Sequence, residues 1–338
     1  MSSKMFKKAV AGSVCVSFAM IALLVVTGCA PTYPREKLAE AVKEVCRAEY
    51  GMNVDVAVEG STLGIYYPME GLLDINLGIS TEAWDHISNL ILIASRVTLS
   101  TDADIKFYCV IAQDARLPEM QVVIIKYVYD VKQGMYQNIS RNESFKRTLF
   151  SMNLTPQARK ERSIEKVFNK LGLEGTTREN ILNEFFRSQP AKLGDIGYWR
   201  NRFYLKDISM EEFLAAQIAN RIKIDFREEK ELRNLYDYRS VEGDFVSANA
   251  KKGFLIKFKI FDQGVTGGES AFRKKKIEEI LRIIQEVVMG YKFKDFDFVE
   301  MDDQLVNAKL RVTSMNIYDL NKNKMPLEEI VQSSGAYF

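Results

Sequence analysis

The sequence predicts an α+β fold built from two copies of one α-β-β-α-β-β module, each an antiparallel sheet with helices on one face. Three observations carry that reading. Amphipathic helical stripes alternate with pairs of strands of period two. The same order of elements returns about 190 residues later. The residues between the copies carry helical patterning and break the repeat.

The first module, residues 35–135, opens on Leu38, Ala41, Val42, Val45 and Cys46, spaced as the apolar stripe of a helix that Gly51 stops. Val54, Val56 and Val58 alternate as a half-buried strand, and Leu63, Ile65 and Tyr67 as the next. Gly60-Ser61 between them reads as a tight hairpin. Trp84, Ile87, Leu90, Ile91, Ala94 and Val97 form a second helical stripe. Ile105 to Ile111 and Val123 to Tyr129 then alternate as two strands, with Pro118 expected in the loop between them.

The second module, residues 226–338, repeats this order. Leu232, Leu235 and Tyr236 share a helical face, and a short strand holds Phe245. Phe254, Ile256, Phe258 and Ile260 alternate. Ile277, Ile280, Leu281, Ile284, Val287 and Val288 make the strongest stripe. The stretches Phe293–Glu300 and Asn307–Asp319 close the module as strands. Adding 190 to Ile87, Leu90, Ile91 and Ala94 gives Ile277, Ile280, Leu281 and Ile284, and Tyr129-Asp130 matches Tyr318-Asp319 at 189. Residues 136–225 join the copies as a helical segment. Thr155-Pro156 and Thr177 read as helix starts, and Ser209 with Glu212 as a capping box.

Ahead of the modules, Lys4, Lys7 and Lys8 precede an apolar run that ends Val26-Thr27-Gly28-Cys29. A positive head, an apolar core and small residues before a cut form a secretory signal; an uncleaved anchor over Ala9–Val26 would also have the length. The ending resembles the lipobox of bacterial lipoproteins. That resemblance implies a signal peptide of residues 1–28, cleavage between Gly28 and Cys29, and lipid on Cys29. With Ala30 next, it implies the outer membrane facing the periplasm in a Gram-negative host. Residues 29–34 would then be a short tether. Two or three acyl chains hold a protein on a bilayer where one does not.

The chain has 47 Lys and Arg against 45 Asp and Glu; loss of the three leader lysines leaves 44 against 45. No basic field remains to draw nucleic acid. After cleavage, Cys46 and Cys109 are left in an oxidising compartment, either bridged or buried as thiols.

Motifs for chemistry are sparse. His86 is the only histidine and lies beside its helical stripe, so no metal set or His-based triad is expected. Ser163-Ile164-Glu165-Lys166 matches S-x-x-K, as in penicillin-binding enzymes, without the accompanying motifs. Gly264–Ser270 opens a helix carrying Arg273, Lys274, Lys275 and Lys276, a candidate contact for an anion or lipid headgroup, but no Walker lysine follows. Asp295 and Asp297 alternate with Phe296 and Phe298 as the wet side of a strand and lack calcium-loop spacing. Tyr198, Trp199, Arg200 and Arg202 mix aromatics with arginine, as interfaces do and as packing between two modules also would.

No motif asks for a cofactor, and nothing sets an oligomeric state. The expectation is a membrane-held envelope lipoprotein that binds other envelope proteins in assembly or transport, without catalysis. The alternative is a hydrolase or ligand-binding lipoprotein acting on peptidoglycan, lipid or a small solute.

Overall fold

A computed structural model of the chain describes residues 33–74, 78–155, 193–199, 201–248, 250–263 and 269–321, together with Gly172 and Gly175. The leader with Gly28 and Cys29, the helices expected after Thr155-Pro156 and Thr177, the Ser163–Lys166 motif, Arg200 and the loop Gly264–Gly268 lie outside these residues.

A single turn at Arg35–Lys37 leads into α1 (Leu38–Tyr50). Gly51 closes α1 in the left-handed region at φ 66°, where a residue without Cβ is unstrained, and its N–H returns to the Arg47 carbonyl. Strands β1 (Asp55–Glu59) and β2 (Thr62–Met69) pair across the Gly60-Ser61 turn. Ser80 caps α2 (Thr81–Leu99) by accepting from the Ala83 N–H. Then come β3 (Phe107–Asp114), β4 (Leu117–Tyr127) and a short helix, α3 (Val128–Met135). Pro118 falls inside β4, where the β3–β4 register shifts after Gln113. A bulge suits a residue with no N–H to give a ladder.

Among the described connecting residues there are strands that the sequence reading did not expect. After α4 (Arg141–Lys146), β5 (Leu149–Leu154) pairs with β4 and makes the first sheet five-stranded, in the order β1-β2-β3-β4-β5. Further on, β6 (Gly197–Trp199) and β7 (Arg202–Tyr204) form a small hairpin. Only then does α5 (Met210–Glu228) begin, with the Ser209–Glu212 capping box in place.

The second module comprises α6 (Lys230–Leu235), β8 (Tyr236–Ala248), β9 (Lys251–Asp262), α7 (Glu269–Gly290), β10 (Phe298–Asp303), β11 (Ala308–Thr313) and α8 (Ser314–Asn321). Its strand order, β8-β9-β10-β11, repeats that of β1 to β4. The expected antiparallel pairing holds for every neighbouring pair except one in each of the two large sheets. There β2/β3 and β9/β10 run parallel. The helix between each pair carries the chain back to the end from which the first strand started, which makes the next strand parallel.

Helices cover one face of each sheet. In the first module Leu38, Val42, Cys46, Ile87, Leu90 and Ala94 pack on Leu63, Ile65, Val110, Val122 and Ile124. Trp84, expected on the α2 stripe, is 39% exposed, and Ala83 and Ile93 take inward positions. In the second module Ile277, Ile280, Leu281 and Ile284 pack on Phe254, Ile256, Phe258 and Met301. Each fully buried aliphatic side chain contributes roughly 1.5–3 kcal/mol.

Helix α5 crosses β8 so closely that a Cβ on Gly243 would stand 2.1 Å from the Ala215 carbonyl oxygen. Backbone, unlike a side-chain tip, cannot swing aside. Gly243→Ala is therefore expected to lower unfolding free energy by about 1–3 kcal/mol, as overpacking does. A urea midpoint equal to that of the unchanged protein would mean that α5 lifts off β8 at no cost.

Candidate functional site at the module junction

All eight residues of β3 are buried. Tyr108, Val110 and Ala112 face the helices. Phe107, Cys109 and Ile111 point to the other side, with Tyr66, Val123 and Ile125. That second face is closed by chain from beyond residue 190: Ile196 and Tyr198 of the hairpin region, Ile208, Phe213 of α5, and the partly buried Phe203, Leu205 and Tyr291.

Tyr198 anchors this cover. Its ring stacks on Tyr66 with centroids 3.6 Å apart. Its hydroxyl donates to Asp55 Oδ2 at 2.5 Å, and its N–H donates to Gln121 Oε1 at 3.0 Å. Gln121 Nε2 donates back to the Tyr198 carbonyl, and the Tyr66 hydroxyl donates to Gln113 Oε1. Burial, then the Asp55 charge, pushes the Tyr66 hydroxyl up to about 12. Asp207 ties the strand-to-helix connection to the β1–β2 turn: its Oδ1 accepts from Ser61 N at 2.9 Å and Ser61 Oγ at 2.7 Å. These hydrogen bonds hold the Asp207 carboxyl below its ordinary value. For Tyr198 the packing reading is therefore the one the structure takes. Trp199 is half-buried with an indole N–H that has no hydrogen-bond partner among the described residues, and Arg202 opposite it is exposed.

Beside this apolar core lies a polar network. Asp130 of α3 is fully buried. Arg147 Nη1 donates to its Oδ1 at 2.9 Å, and the Tyr291 hydroxyl to its Oδ2 at 2.6 Å. Arg147 Nε donates to Glu143 at 2.7 Å, and its guanidinium lies 4.7 Å from the Tyr291 ring centre. From α5, Arg221 grips Glu143 through both Nη atoms at 3.2 and 2.8 Å. Lys146 pairs with Asp225 at 3.1 Å, and Gln217 donates to the Arg147 carbonyl at 2.5 Å. Burial raises the Asp130 carboxyl despite its two donors. Burial pushes Glu143 the same way, but hydrogen bonds from Arg221 and Arg147 outweigh it and the carboxyl is lowered.

Sequence reading missed this network because it took the residues up to Asp130 as strand. Alternation in fact ends at Tyr127, and α3 turns Asp130 inward. The repeated Tyr-Asp pair was the available signal, yet its two copies differ. Tyr129 is exposed over a buried Asp130, whereas Tyr318 donates to the Phe293 carbonyl at 3.0 Å and Asp319 is half-buried.

The other expected sites separate. Lys276 is a correction: it is buried and cannot meet a headgroup. Its ammonium donates to the Ile260 carbonyl at 2.9 Å and pairs with Asp303 at 3.1 Å. It directly precedes Ile277 on the inward side of α7, whereas Arg273 and Lys274 are half-exposed and Lys275 is exposed. Cys46 and Cys109 are both free. They lie in cores on opposite faces of the first sheet, so no bridge can join them. Burial raises both thiols, Cys46 to about 11 and Cys109 further. His86 is half-buried with its ring 5.7 Å from that of Tyr67. Asp297 precedes β10 and caps the Lys252 N–H at 2.7 Å, while Asp295 pairs with Lys252 Nζ at 2.8 Å.

Among the described residues, the second sheet has no such cover on the same face. Its rows there alternate in sign. Glu242, Lys257, Asp302 and Lys309 are register neighbours, as are Glu300 and Arg311. Such a face is at ease in water.

No family model, curated protein or solved structure matches this chain.

Arg147→Ala should cost about 3 kcal/mol in urea unfolding, because it takes the paired cation from a buried carboxylate and leaves it only the Tyr291 hydroxyl as a hydrogen-bond donor. In an Asp130→Asn background the same change should cost clearly less; equal costs would separate the two residues energetically. The pH dependence has a definite sign. A carboxyl raised in the folded chain contributes stability that is full below its unfolded value and lost as pH rises through the folded one. Acidification from about pH 7 toward 4.5 should therefore stabilise the unchanged protein relative to Asp130→Asn. The Cys46 and Cys109 thiols should react with a thiol reagent only on unfolding, and reductant should leave the midpoint unmoved.

Proposed function

We propose that this chain is a membrane-held cell-envelope lipoprotein, anchored through lipid on Cys29, that binds other envelope proteins without catalysing a reaction. The leader pattern from Lys4 to Cys29 motivates the anchor. The observation that carries the reading is the way the first described residues are pinned. Tyr33 donates its N–H to the Ser100 carbonyl at 3.3 Å and bridges to Thr101. The Arg35 N–H donates to Asp102 at 2.7 Å. The fold thus takes hold of the chain only four residues after Cys29, and the body would ride close to its bilayer rather than on a long leash.

An adaptor also needs a surface for its partner. Trp84 and Leu92 lie two turns apart on the outer side of α2, both exposed. Trp84 sits 5.9 Å from Phe150 of β5, and Met152 adjoins them along that strand, also exposed. Exposed apolar groups gathered on one face mark interaction sites.

Cross-linking in living cells followed by pull-down and mass spectrometry tests the reading. Repeated recovery of a few defined envelope proteins is expected, reduced by Cys29→Ser and reduced by Trp84→Ala with Leu92→Ala while the anchor stays intact. Recovery of lipid or cell-wall material alone would overturn the adaptor role, and absence of palmitate label from Cys29 would overturn the anchor.

A further inference from the structure

The registers of the first sheet place several chain segments at one of its ends. Lys106, just before β3, receives the Val128 N–H at its carbonyl at 2.8 Å and gives its own N–H to Ser61, just before β2, at 2.8 Å. Leu149 opens β5 opposite Ile125, at the end of the sheet where β4 finishes. The excursion from Val128 to Thr148, with α3 and α4, therefore caps this end. The Ser100–Asp102 segment that holds Tyr33 and Arg35 leads into Lys106 and lies at the same end.

This excursion carries a cluster of exposed large apolar side chains. Tyr129 is 52% exposed, Met135 67%, Tyr136 75% and Phe145 64%. Tyr129 lies in the first turn of α3, and Tyr136 is its C-cap. Met135 and Phe145 flank the close approach of Gly134 to the Ser144 hydroxyl, 3.7 Å from a Cβ placed on that glycine. The charges are sorted. Both acids of the excursion, Asp130 and Glu143, turn inward to Arg147, Tyr291 and Arg221. Lys132 and Arg141 stay exposed. Aromatic and flexible apolar groups beside exposed bases are what a headgroup layer of anionic lipid accepts.

We propose that the α3–α4 surface lies against the anionic lipid of the bilayer that holds the protein, with Met135, Tyr136 and Phe145 entering the headgroup layer and Lys132 and Arg141 meeting phosphate. This rests on the anchored reading above. Cys29 stands four residues from Tyr33, about 14 Å of extended chain. The anchor therefore starts at the end of the sheet that bears this surface, and two contacts fix the orientation of the body where lipid alone would let it swivel.

The test uses the full-length protein reconstituted into vesicles of phosphatidylcholine and phosphatidylglycerol with brominated acyl chains. In a Trp84→Phe, Trp199→Phe background, where the introduced indole is the sole emitter, Tyr136→Trp is compared with Met315→Trp, a control on α8 that is similarly exposed. The new tryptophan at 136 should lose about half its emission to bromine, as a side chain entering the headgroup boundary would. The one at 315 should lose none. Lys132→Glu with Arg141→Glu should restore the emission at 136. Unquenched emission at 136 in protein that floats with its vesicles overturns the surface, and so does equal quenching at both positions. Intact mass reads the anchor separately. A lipidated chain without quenching keeps the anchor and removes the surface. An unlipidated chain that is still quenched keeps the surface and removes the anchor.

Discussion

The first sheet is apolar on both faces, and much of the remaining architecture follows from that. Helices α1 and α2 satisfy one side. The other side exposes Phe107, Cys109, Ile111, Val123 and Ile125 unless something returns to cover it. The covering residues come from Ile196 to Phe213, far along the chain, and they bring the second module with them. Once α5 has been drawn across by Phe213, its next turns place Gln217, Arg221 and Asp225 on the α4 region. The polar network is thus downstream of an apolar demand. Its geometry then fixes one arrangement of the two modules, because a buried carboxylate tolerates few alternative partners.

Most of the architecture was legible in period and spacing. The stripes of α1 and α7, the Gly60-Ser61 turn, the Gly51 stop and the Ser209 cap are local, and local chemistry decides them. The repeat was legible because both copies keep the same order with near-constant spacing. Three things were not. Parallel pairing within each of the two large sheets depends on which strand lies beside which, and alternation is blind to that. The strand β5 (Leu149–Leu154) lies in a segment read as helical throughout, although Phe150, Met152 and Leu154 alternate with Ser151 and Asn153 as strand residues do. The junction network depends on Asp130 turning inward at the point where a strand becomes a helix, and a period of two gives no warning of that change.

For the candidate surfaces the same limit applied. Composition singled out Tyr198 and the Arg273–Lys276 run because they are aromatic or basic. Packing then claimed Tyr198 and Lys276, whose polar atoms are met by Asp55 and Gln121 in one case and by Ile260 and Asp303 in the other. The groups left facing outward, Tyr136 and Phe145, were inconspicuous in sequence since neither belongs to a strong stripe. The two copies of the module have also diverged in purpose. One buries its second face under later chain, and the other, among the described residues, leaves rows of paired charge uncovered.

The long return from β3 to Phe213 has a consequence for the order of events during synthesis. A chain that has just completed β5 has every strand of its first sheet but no lid over Cys109 and Ile111. About sixty further residues must arrive before Phe213 can dock. Contacts of such sequence separation form late, and an unpaired apolar sheet face is prone to association in the interval. The half-made molecule is therefore the vulnerable one, and its protection falls to whatever escorts a nascent chain rather than to the fold itself.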